Sequence, residues 1–356
     1  MKIEIFQKKF NKIFENEVKK LVLRINKNFS KYIPRLEFVS KQIFKILTGG
    51  KKIRPYLIFS IYHIFHPIKN GNKISGIKNI LVALEIFHNF CLIHDDIIDN
   101  GKIRHNTETL NYFFFKKFLK SKKDKEIINK FAESQALIIG DLIFKEVFYL
   151  LDKHNWLNSG IRFNFYKEFY KMIDLVFFGQ MLDIYLTIDK SNDINLIKYK
   201  NMLKTSYYSF VEPMKLGYIL AKGKNDYYFK IFEKIGTRLG LIYQIQDDIL
   251  NIIGDPKKIG KDTLSDIANN QQTFLTFYLK KFLKSDYFDL RKKIIEGKIN
   301  PNKLAKIIKN SNCLDFALKE IDTLSKDTIS IVKSTKNIDL VNFIESLLEF
   351  IINRKK

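Results

Sequence analysis

Apolar residues recur at helical spacing along almost the whole chain, and strand-like alternation of apolar and polar positions is scarce. Prolines and glycines, which interrupt helices, number only 6 and 15 in 356 residues. No segment rich in serine, glycine and proline marks a linker between domains. The pattern therefore predicts an all-α fold and a single domain over residues 1–356, with ample apolar material for one core.

Two acidic clusters follow apolar helical stretches. Residues 95–99 (DDIID) precede the helix-stop signal Asn100-Gly101, and residues 247–251 (DDILN) precede Gly254. Carboxylates in the last turn of a helix face the negative end of its dipole, so cations must offset them. One such pair is usually a solvated cap, but two on strongly apolar helices favour a metal site. Because the ligands are oxygens, with no nearby Cys or His pairing, the expected metal is a hard ion such as Mg2+.

The formal net charge of +24 first suggests nucleic acid or an anionic membrane as a partner. However, Lys, Asn, Ile and Phe are abundant together, as expected of an AT-rich genome, and the lysines are spread along the chain rather than clustered. We therefore expect a solvated basic surface with a general attraction to anionic substrates, and no nucleic-acid partner.

The chain shows no sign of export or membrane insertion. No stretch of eighteen uncharged apolar residues is present, so no membrane span is expected. The first ten residues include Glu4 and no continuous apolar segment, which argues against a signal peptide. Cys91 and Cys313 are too few for a disulfide framework. Together these features predict a cytoplasmic protein.

A basic, glycine-containing segment, GGKKIRP, occupies residues 49–55. Its two glycines permit a tight turn, and its proline suits the start of a helix. Lys51 and Arg54 are therefore predicted at a helix N-terminus, where an anion is favoured. Other basic candidates lie near the acidic clusters or in a central helix: Arg104-His105, Lys204-Thr205 and Lys261-Asp262. Carboxylate–metal sites ringed by Lys and Arg are what a diphosphate substrate requires.

These motifs together resemble the trans-polyprenyl diphosphate synthases, the trans-prenyltransferases that make geranyl, farnesyl and geranylgeranyl diphosphate. The resemblance covers roughly residues 35–280, and the segment after about 285 carries no motif and is predicted to form closing C-terminal helices. The matching segments, in the expected order, are Gly49 to Pro55, Asp95 to Asp99 with Arg104, Gly179-Gln180 with Asp183, Lys204-Thr205, and Gln244 to Asp248 with Gly260-Lys261-Asp262.

The resemblance implies the isoprenoid synthase type I fold, a helical bundle in which both acidic motifs face a deep central cavity. It also implies a homodimer and a Mg2+-dependent, head-to-tail condensation of isopentenyl diphosphate with an allylic diphosphate, which releases diphosphate. Three Mg2+ ions would be held by Asp95, Asp96, Asp99, Asp247 and Asp248. The allylic diphosphate would be bound by Arg104, Lys204 and Lys261, and isopentenyl diphosphate by Lys51, Arg54, His88 and His105. Thr205 and Gln244 would present oxygens to the allylic cation. Gln180 and Asp183 would lie behind these two residues and support them.

Product length is predicted from the helix that precedes the first acidic motif. Cys91, Phe90 and Phe87 lie four, five and eight positions before Asp95, one to two helical turns away. An isoprene unit spans roughly the pitch of a helix, so each turn corresponds to about one unit. Phe90 resembles the aromatic residue that stops chain growth in short-chain synthases. We therefore expect a product of fifteen to twenty carbons, with geranylgeranyl diphosphate favoured over farnesyl diphosphate, although both rings also suit an ordinary core.

Three positions depart from the family pattern. His105 stands where a second arginine is usual, Asn251 ends the second motif in place of aspartate, and Gln271 replaces a lysine. Each change removes charge or ligand strength, so a weakly active or non-catalytic subunit of a heteromeric synthase is one alternative. A class I terpene cyclase is another, but such enzymes lack the GGKxxR segment and the second Asp-rich motif. The sequence favours an active synthase over both.

Overall fold

The chain is almost entirely helical in the computed structural model, as the apolar spacing predicts. The structure describes residues 2–66, 74–120, 124–156, 158–189, 192–224, 226–254 and 264–354. These residues form two compact units, and the division falls within the third helix. Unit 1 takes in the described residues of 2–59 and 74–156, and unit 2 those of 60–66 and 158–354. A single domain over residues 1–356 stays a prediction.

Unit 1 is built on long helices whose apolar faces are buried. Its helices are α1 (Ile3–Tyr32), α2 (Ser40–Thr48), the first part of α3 (Ile53–Phe65), α4 (Lys78–Ile98), α5 (Leu110–Phe118) and α6 (Lys125–Asp152). Along α1 the buried side chains Phe6, Phe10 and Phe14 recur every fourth residue, which is the spacing of one helical face. Helix α4 is buried on nearly every side between Ile80 and Phe87, so it is a core helix.

The first acidic motif lies where α4 ends, as predicted. Asp95 and Asp96 are in the last turn, Ile98 is the last helical residue and Asp99 is the C-cap. A two-stranded antiparallel hairpin follows, formed by β1 (Ile103–Arg104) and β2 (Thr107–Glu108). Both turn residues, His105 and Asn106, have positive φ angles, as a tight two-residue hairpin turn requires.

Unit 2 contains most of the remaining helices. They are α7 (Ser159–Ile188), α8 (Ile194–Asn201), α9 (Glu212–Lys222), α10 (Tyr227–Ile253), α11 (Ser265–Ala268), α12 (Phe274–Leu283), α13 (Asp286–Ile295), α14 (Pro301–Asn310), α15 (Cys313–Ser334) and α16 (Ile338–Ile352). Helices α13 to α16 occupy the segment after residue 285, where closing helices were predicted.

The second acidic motif lies further inside its helix than predicted. Helix α10 continues to Ile253, so Asp247 and Asp248 sit six and five residues before its end rather than in the last turn. The dipole argument therefore applies to the first motif alone. The apolar run continues past the carboxylates because Ile249, Leu250 and Ile252 are buried.

A π-helical segment, Met202–Val211, joins α8 to α9. One of its wide-turn hydrogen bonds runs from the Glu212 amide to the carbonyl of Tyr207, five residues earlier. Pro213 follows at once; it has no N–H, and in an α-helix its ring would press on the carbonyl four residues earlier. The wider turn avoids that clash. Because π-helical turns are frequent at functional sites, the location of Lys204-Thr205 within the segment is informative.

One helical stretch of the described residues, Ser75–Ile98, is long and apolar enough to cross a bilayer by length and composition. Within the fold 67% of its apolar window is buried, as in the core helix of a globular protein. Such a helix is weak support for a membrane span, and the absence of a span stays a prediction.

Candidate active site

In unit 1 the first acidic motif is paired with Arg104. Arg104 Nε donates to Asp96 Oδ1 at 2.6 Å, and its Nη2 donates to Asp95 Oδ2 at 3.0 Å. Burial raises the pKa of Asp96 to about 6, against the opposing effect of the Arg104 charge. Burial alone would lower the pKa of Arg104, but Asp96, Asp95 and Asp99 raise it. Arg104 therefore stays charged and offsets part of the motif's negative charge.

A cluster of basic side chains surrounds His88 on α4. Burial lowers the pKa of His88 well below its usual value, and the charges of Arg54, His105, Lys52 and Arg104 lower it further. His88 is therefore neutral at pH 7 and can accept or donate a hydrogen bond. Three of the four residues predicted for the isopentenyl diphosphate site, Arg54, His88 and His105, are thus close together, in surroundings that favour an anion. Their role in binding that substrate stays a prediction.

The GGKKIRP turn is held in place by its neighbours. Gly50 has a φ of 95°, which favours glycine, and a Cβ at Gly49 would lie 2.8 Å from Cδ2 of His105. The His105 ring, on the hairpin turn, therefore covers the glycine turn. From α1, Gln7 Nε2 donates to the carbonyl of Lys51. Helix α3 begins at Ile53, so Arg54 is in its first turn, as predicted.

Lys52, which the sequence reasoning passed over, is a buried cation in this turn. Its Nζ lies 3.2 Å from Glu85 Oε1 on α4, with both side chains 1% exposed, and 4.3 Å from the centre of the Phe14 ring. Burial lowers the pKa of Lys52, and Glu85 opposes that shift. Lys52 thereby joins the glycine turn to the helix that carries the first acidic motif.

The residues predicted to limit product length belong to an aromatic cluster. The Phe90 ring lies 4.5 Å, centroid to centroid, from both Phe144 on α6 and His94, and 5.9 Å from Phe87. Phe87 and Phe90 are 0% and 4% exposed, whereas Cys91 is half-buried. Phe144 is a further candidate that the sequence did not indicate, because it lies 54 positions after Phe90.

In unit 2, Lys204 and Asp183 are brought together. Lys204 Nζ donates to Asp183 Oδ2 at 2.6 Å, and Lys200 Nζ lies 2.8 Å from Asp183 Oδ1. Burial alone would raise the pKa of Asp183, but Lys200 and Lys204 hold it well below its usual range. A Cβ at Gly179 would lie 2.3 Å from the Lys204 amide nitrogen, so this glycine lets α7 approach the π-helical segment.

A hydrogen-bonded chain connects the predicted cation-facing residues to the second acidic motif. Thr205 Oγ1 donates to Gln244 Oε1 at 3.0 Å, and Gln244 Nε2 donates to Asp248 Oδ1 at 3.0 Å. The Phe274 amide donates to the other oxygen, Asp248 Oδ2, at 3.0 Å. Burial raises the pKa of Asp248 to about 8 despite these donors.

Asp247 is paired with Arg354, a contact that no sequence motif indicated. The buried guanidinium of Arg354 donates to Asp247 Oδ1, and it lies 4.2 Å from the centre of the Tyr243 ring. The Asp247 side chain is 31% exposed. Each acidic motif therefore has one arginine against its first carboxylate.

The remaining predicted positions have other outcomes. Asn251 is structural: its side chain donates to Ser265 Oγ at 2.8 Å and accepts from the Asp266 amide. Gln271 is half-buried in the segment before α12. Gln180 Nε2 is buried without a hydrogen-bond acceptor among the described residues. Lys261 lies outside the described residues.

Carboxylates of both acidic motifs suit a hard divalent cation, although the described residues form no preformed cage. Across the described residues no three His, Cys, Asp or Glu side chains come close enough together to hold a metal ion. Asp95, Asp99 and Asp247 nevertheless offer carboxylate oxygens, which Mg2+ prefers. Arginines already contact two of them, as would be expected where a cation is to be bound.

The model of one protein family, polyprenyl synthetase, matches residues 36–310. The chain belongs to this family. The family and the enzyme class predicted from the sequence, a polyprenyl diphosphate synthase, are thereby confirmed.

Individual family members match over most of their length. A geranylgeranyl diphosphate synthase of Sulfolobus acidocaldarius is 27% identical over 96% of this chain and 99% of its own. One from Saccharolobus solfataricus is 30% identical over 75% of this chain and 71% of its own. The crystal structure of geranylgeranyl pyrophosphate synthase from Corynebacterium glutamicum, complexed with isoprenyl diphosphate and magnesium, has a TM-score of 0.78 at 21% identity, covering 96% and 98% of the two chains. This likeness confirms the predicted all-α isoprenoid synthase fold.

Proposed function

We propose that this protein condenses isopentenyl diphosphate with an allylic diphosphate, head to tail and with Mg2+, and releases diphosphate. The observation that carries the proposal is the basic cluster of unit 1. Lys52, Arg54, Arg104 and His105 lie close to His88, which is on the helix that ends in the first acidic motif. A diphosphate needs many cationic donors together with carboxylates that can hold its metal ions, and unit 1 offers both.

The chemistry follows from where charge develops. Asp95 and Asp99 of unit 1, and separately Asp247 of unit 2, would hold Mg2+ ions, which when bound would stabilise the negative charge on the leaving diphosphate. Arg104 in unit 1 and Lys204 in unit 2 would each add positive charge for a bound diphosphate as the carbon–oxygen bond of the allylic substrate ionises to an allylic cation. The double bond of isopentenyl diphosphate then attacks that cation, and a proton passes to an oxygen of the departed diphosphate.

Two side chains of unit 2 would stabilise the allylic cation itself. The Thr205 hydroxyl and the Gln244 carbonyl oxygen are held 3.0 Å apart by a hydrogen bond, so both oxygens are fixed before substrate binds. Preorganised dipoles stabilise a developing charge without reorganising during the reaction. Neither group needs to change its protonation state.

Geranylgeranyl diphosphate is the product that we propose. Phe90 lies five residues before Asp95, and its ring stacks on that of Phe144, as a floor for the growing chain would require. The two archaeal relatives described above are named as geranylgeranyl diphosphate synthases, which supports a product of the same length.

The direct test is incubation of the purified protein with labelled isopentenyl diphosphate, Mg2+ and, separately, geranyl or farnesyl diphosphate. We expect labelled geranylgeranyl diphosphate from either starter and none when Mg2+ is chelated. An Asp95→Ala variant serves as the inactive control. Absence of product with both starters, from folded protein, would support a non-catalytic subunit instead.

We also propose a homodimer formed through α7. This helix exposes apolar side chains at helical spacing along most of its length: Phe163, Tyr170, Phe177, Phe178, Met181, Ile184, Tyr185 and Ile188. A stripe of this size is rare on monomers, and a repeat on one helix suits a second copy of the same helix. Light scattering should show a dimer, which Met181→Lys weakens and Phe288→Lys, an exposed control on α13, does not. A wild-type monomer at micromolar concentration would reject the dimer.

The cytoplasm is the proposed location. Neither Cys91 nor Cys313 forms a disulfide, as a reducing compartment requires.

A further inference from the structure

Asp183 is contacted by two lysines from successive turns of one helix. Lys200, in the last turn of α8, approaches Asp183 Oδ1 at 2.8 Å, and Lys204, in the π-helical segment, approaches Oδ2 at 2.6 Å. One lysine would balance the charge of one carboxylate. The second lysine is therefore not needed to neutralise Asp183.

The two lysines differ in their exposure to solvent and in their other contacts. The Lys200 side chain is 5% exposed, whereas that of Lys204 is 26% exposed. Lys200 Nζ also donates to the carbonyl of Gln272 at 3.0 Å. The Gln272 side chain in turn donates to the carbonyls of Leu186 and Asp189, at the end of α7. Lys200 is thus fixed by several contacts, while Lys204 has access to solvent.

We propose that Lys200 is the permanent counter-ion of Asp183, and that it frees Lys204 to bind the substrate diphosphate. The inference rests on the proposed function, in which Lys204 contacts the allylic diphosphate. When Lys204 turns to that ligand, Asp183 would be left as a buried, unpaired carboxylate if Lys200 were absent. Removing one partner of a buried pair is strongly unfavourable, so Lys204 would then stay with Asp183 and diphosphate would bind weakly.

Lys200 also acts on the second acidic motif. The segment that it holds at Gln272 leads, two residues later, to the Phe274 amide that donates to Asp248. Lys200 is therefore a positioning residue for both Lys204 and Asp248, without contact with the substrate itself.

The test is a titration of folded variants with inorganic diphosphate and Mg2+, followed by calorimetry. We expect Lys200→Met to weaken diphosphate binding about tenfold although Lys204 is intact, and Lys200→Arg to bind within about threefold of wild type. The matched control is Lys215→Met, which removes another buried lysine of unit 2, one paired with Glu212 at 3.3 Å. It should lower the melting temperature comparably and leave diphosphate affinity unchanged.

A double variant separates this role from a general loss of structure. In Lys200→Met/Asp183→Asn the carboxylate that retains Lys204 is gone, so binding should recover relative to Lys200→Met. Steady-state kinetics should show the same order in KM for the allylic substrate, with smaller changes in kcat. If Lys200→Met fails to fold, Lys200→Gln tests the loss of the same charge with a polar side chain in place of the lysine.

The outcomes distinguish the inference from the proposed function. If Lys204→Met weakens diphosphate binding but Lys200→Met does not, the role of Lys200 is overturned and that of Lys204 stands. If Lys204→Met binds diphosphate as well as wild type does, the assignment of Lys204 is overturned, and the role of Lys200 with it. Equal weakening in Lys200→Met and the double variant also overturns the counter-ion role.

Discussion

Replacing Phe90 with alanine should lengthen the main product by one isoprene unit. Phe90 lies five residues before Asp95, which is roughly 7.5 Å along a helix that rises 1.5 Å per residue. Its ring is 4% exposed and stacks on Phe144 at 4.5 Å. Removing the ring opens a space about as long as one isoprene unit, and Phe144→Ala should act in the same direction from the opposite helix.

Phe90→Ala should also lower the free energy of unfolding, by an amount that can be estimated. Truncating a buried Phe to Ala lowers the free energy of unfolding by roughly 3–5 kcal/mol. Phe90 makes ring contacts with Phe87, His94 and Phe144, and each such pair contributes about 0.5–1.5 kcal/mol beyond its buried area. We therefore expect a loss near the upper end of that range, measurable by urea denaturation.

Chromatography of the dephosphorylated prenols would report product length. Phe165→Ala is the matched control, because Phe165 on α7 is 0% exposed and stacks on Phe169. It should reduce stability similarly without changing the product. The same product distribution in wild type, Phe90→Ala, Phe87→Ala and Phe144→Ala would refute the reasoning and leave the rings as ordinary core aromatics.

Three other predictions concern charge. Asp95→Ala or Asp247→Ala should lower kcat roughly 1000-fold, as measured by incorporation of labelled isopentenyl diphosphate, and near-normal turnover would contradict their assignment. The pKa of Asp248 is raised to about 8, so the folded state binds the proton of this carboxyl more tightly than the unfolded chain does. The stabilising contribution of protonated Asp248 is therefore lost as pH rises from about 4 to 8. Asp248→Asn should therefore have a higher free energy of unfolding than wild type at pH 8. Its free energy of unfolding, measured by denaturation with a chelator present, should also change less with pH, and the same pH dependence in both proteins would contradict the raised pKa. Because histidine loses its charge above about pH 6.5 and arginine does not, KM for isopentenyl diphosphate should rise between about pH 6 and 8.5 more steeply in wild type than in His105→Arg, and parallel profiles would remove His105 from the site.

The local part of the site was predictable from the sequence because its motifs are contiguous. The GGKKIRP turn, the first acidic motif and Arg104 lie within residues 49–104, and their stop signals and helix starts are short-range features. The position of Asp247 within its helix was predicted wrongly. Helix α10 does end next to Gly254, as the stop signal indicates, but the apolar residues after the motif extend the helix to Ile253, so Asp247 is not in its last turn. A stop signal reports the end of a helix, not the distance of a motif from it.

The partners of these motif residues could not be predicted. Lys52, Lys200 and Arg354 are three of 62 basic residues, each with another basic residue within two positions, and nothing near them in the sequence distinguishes a buried ion pair from a solvated side chain. Their roles come from tertiary packing, which buries Lys200 against Asp183 and Arg354 against Asp247. Long-range pairs of this kind leave no periodic pattern in the chain.

The wide turns of Met202–Val211 change how this helix can be compared and engineered. In an α-helix residues four apart share a face, but five-residue hydrogen-bonded turns shift that register. A helical wheel drawn through α8 and α9 would therefore assign wrong faces to the positions after Met202. An alignment with a relative whose helix is regular should place a one-residue gap near Pro213. Deleting one residue there would test whether a regular helix can still direct Lys204 toward Asp183.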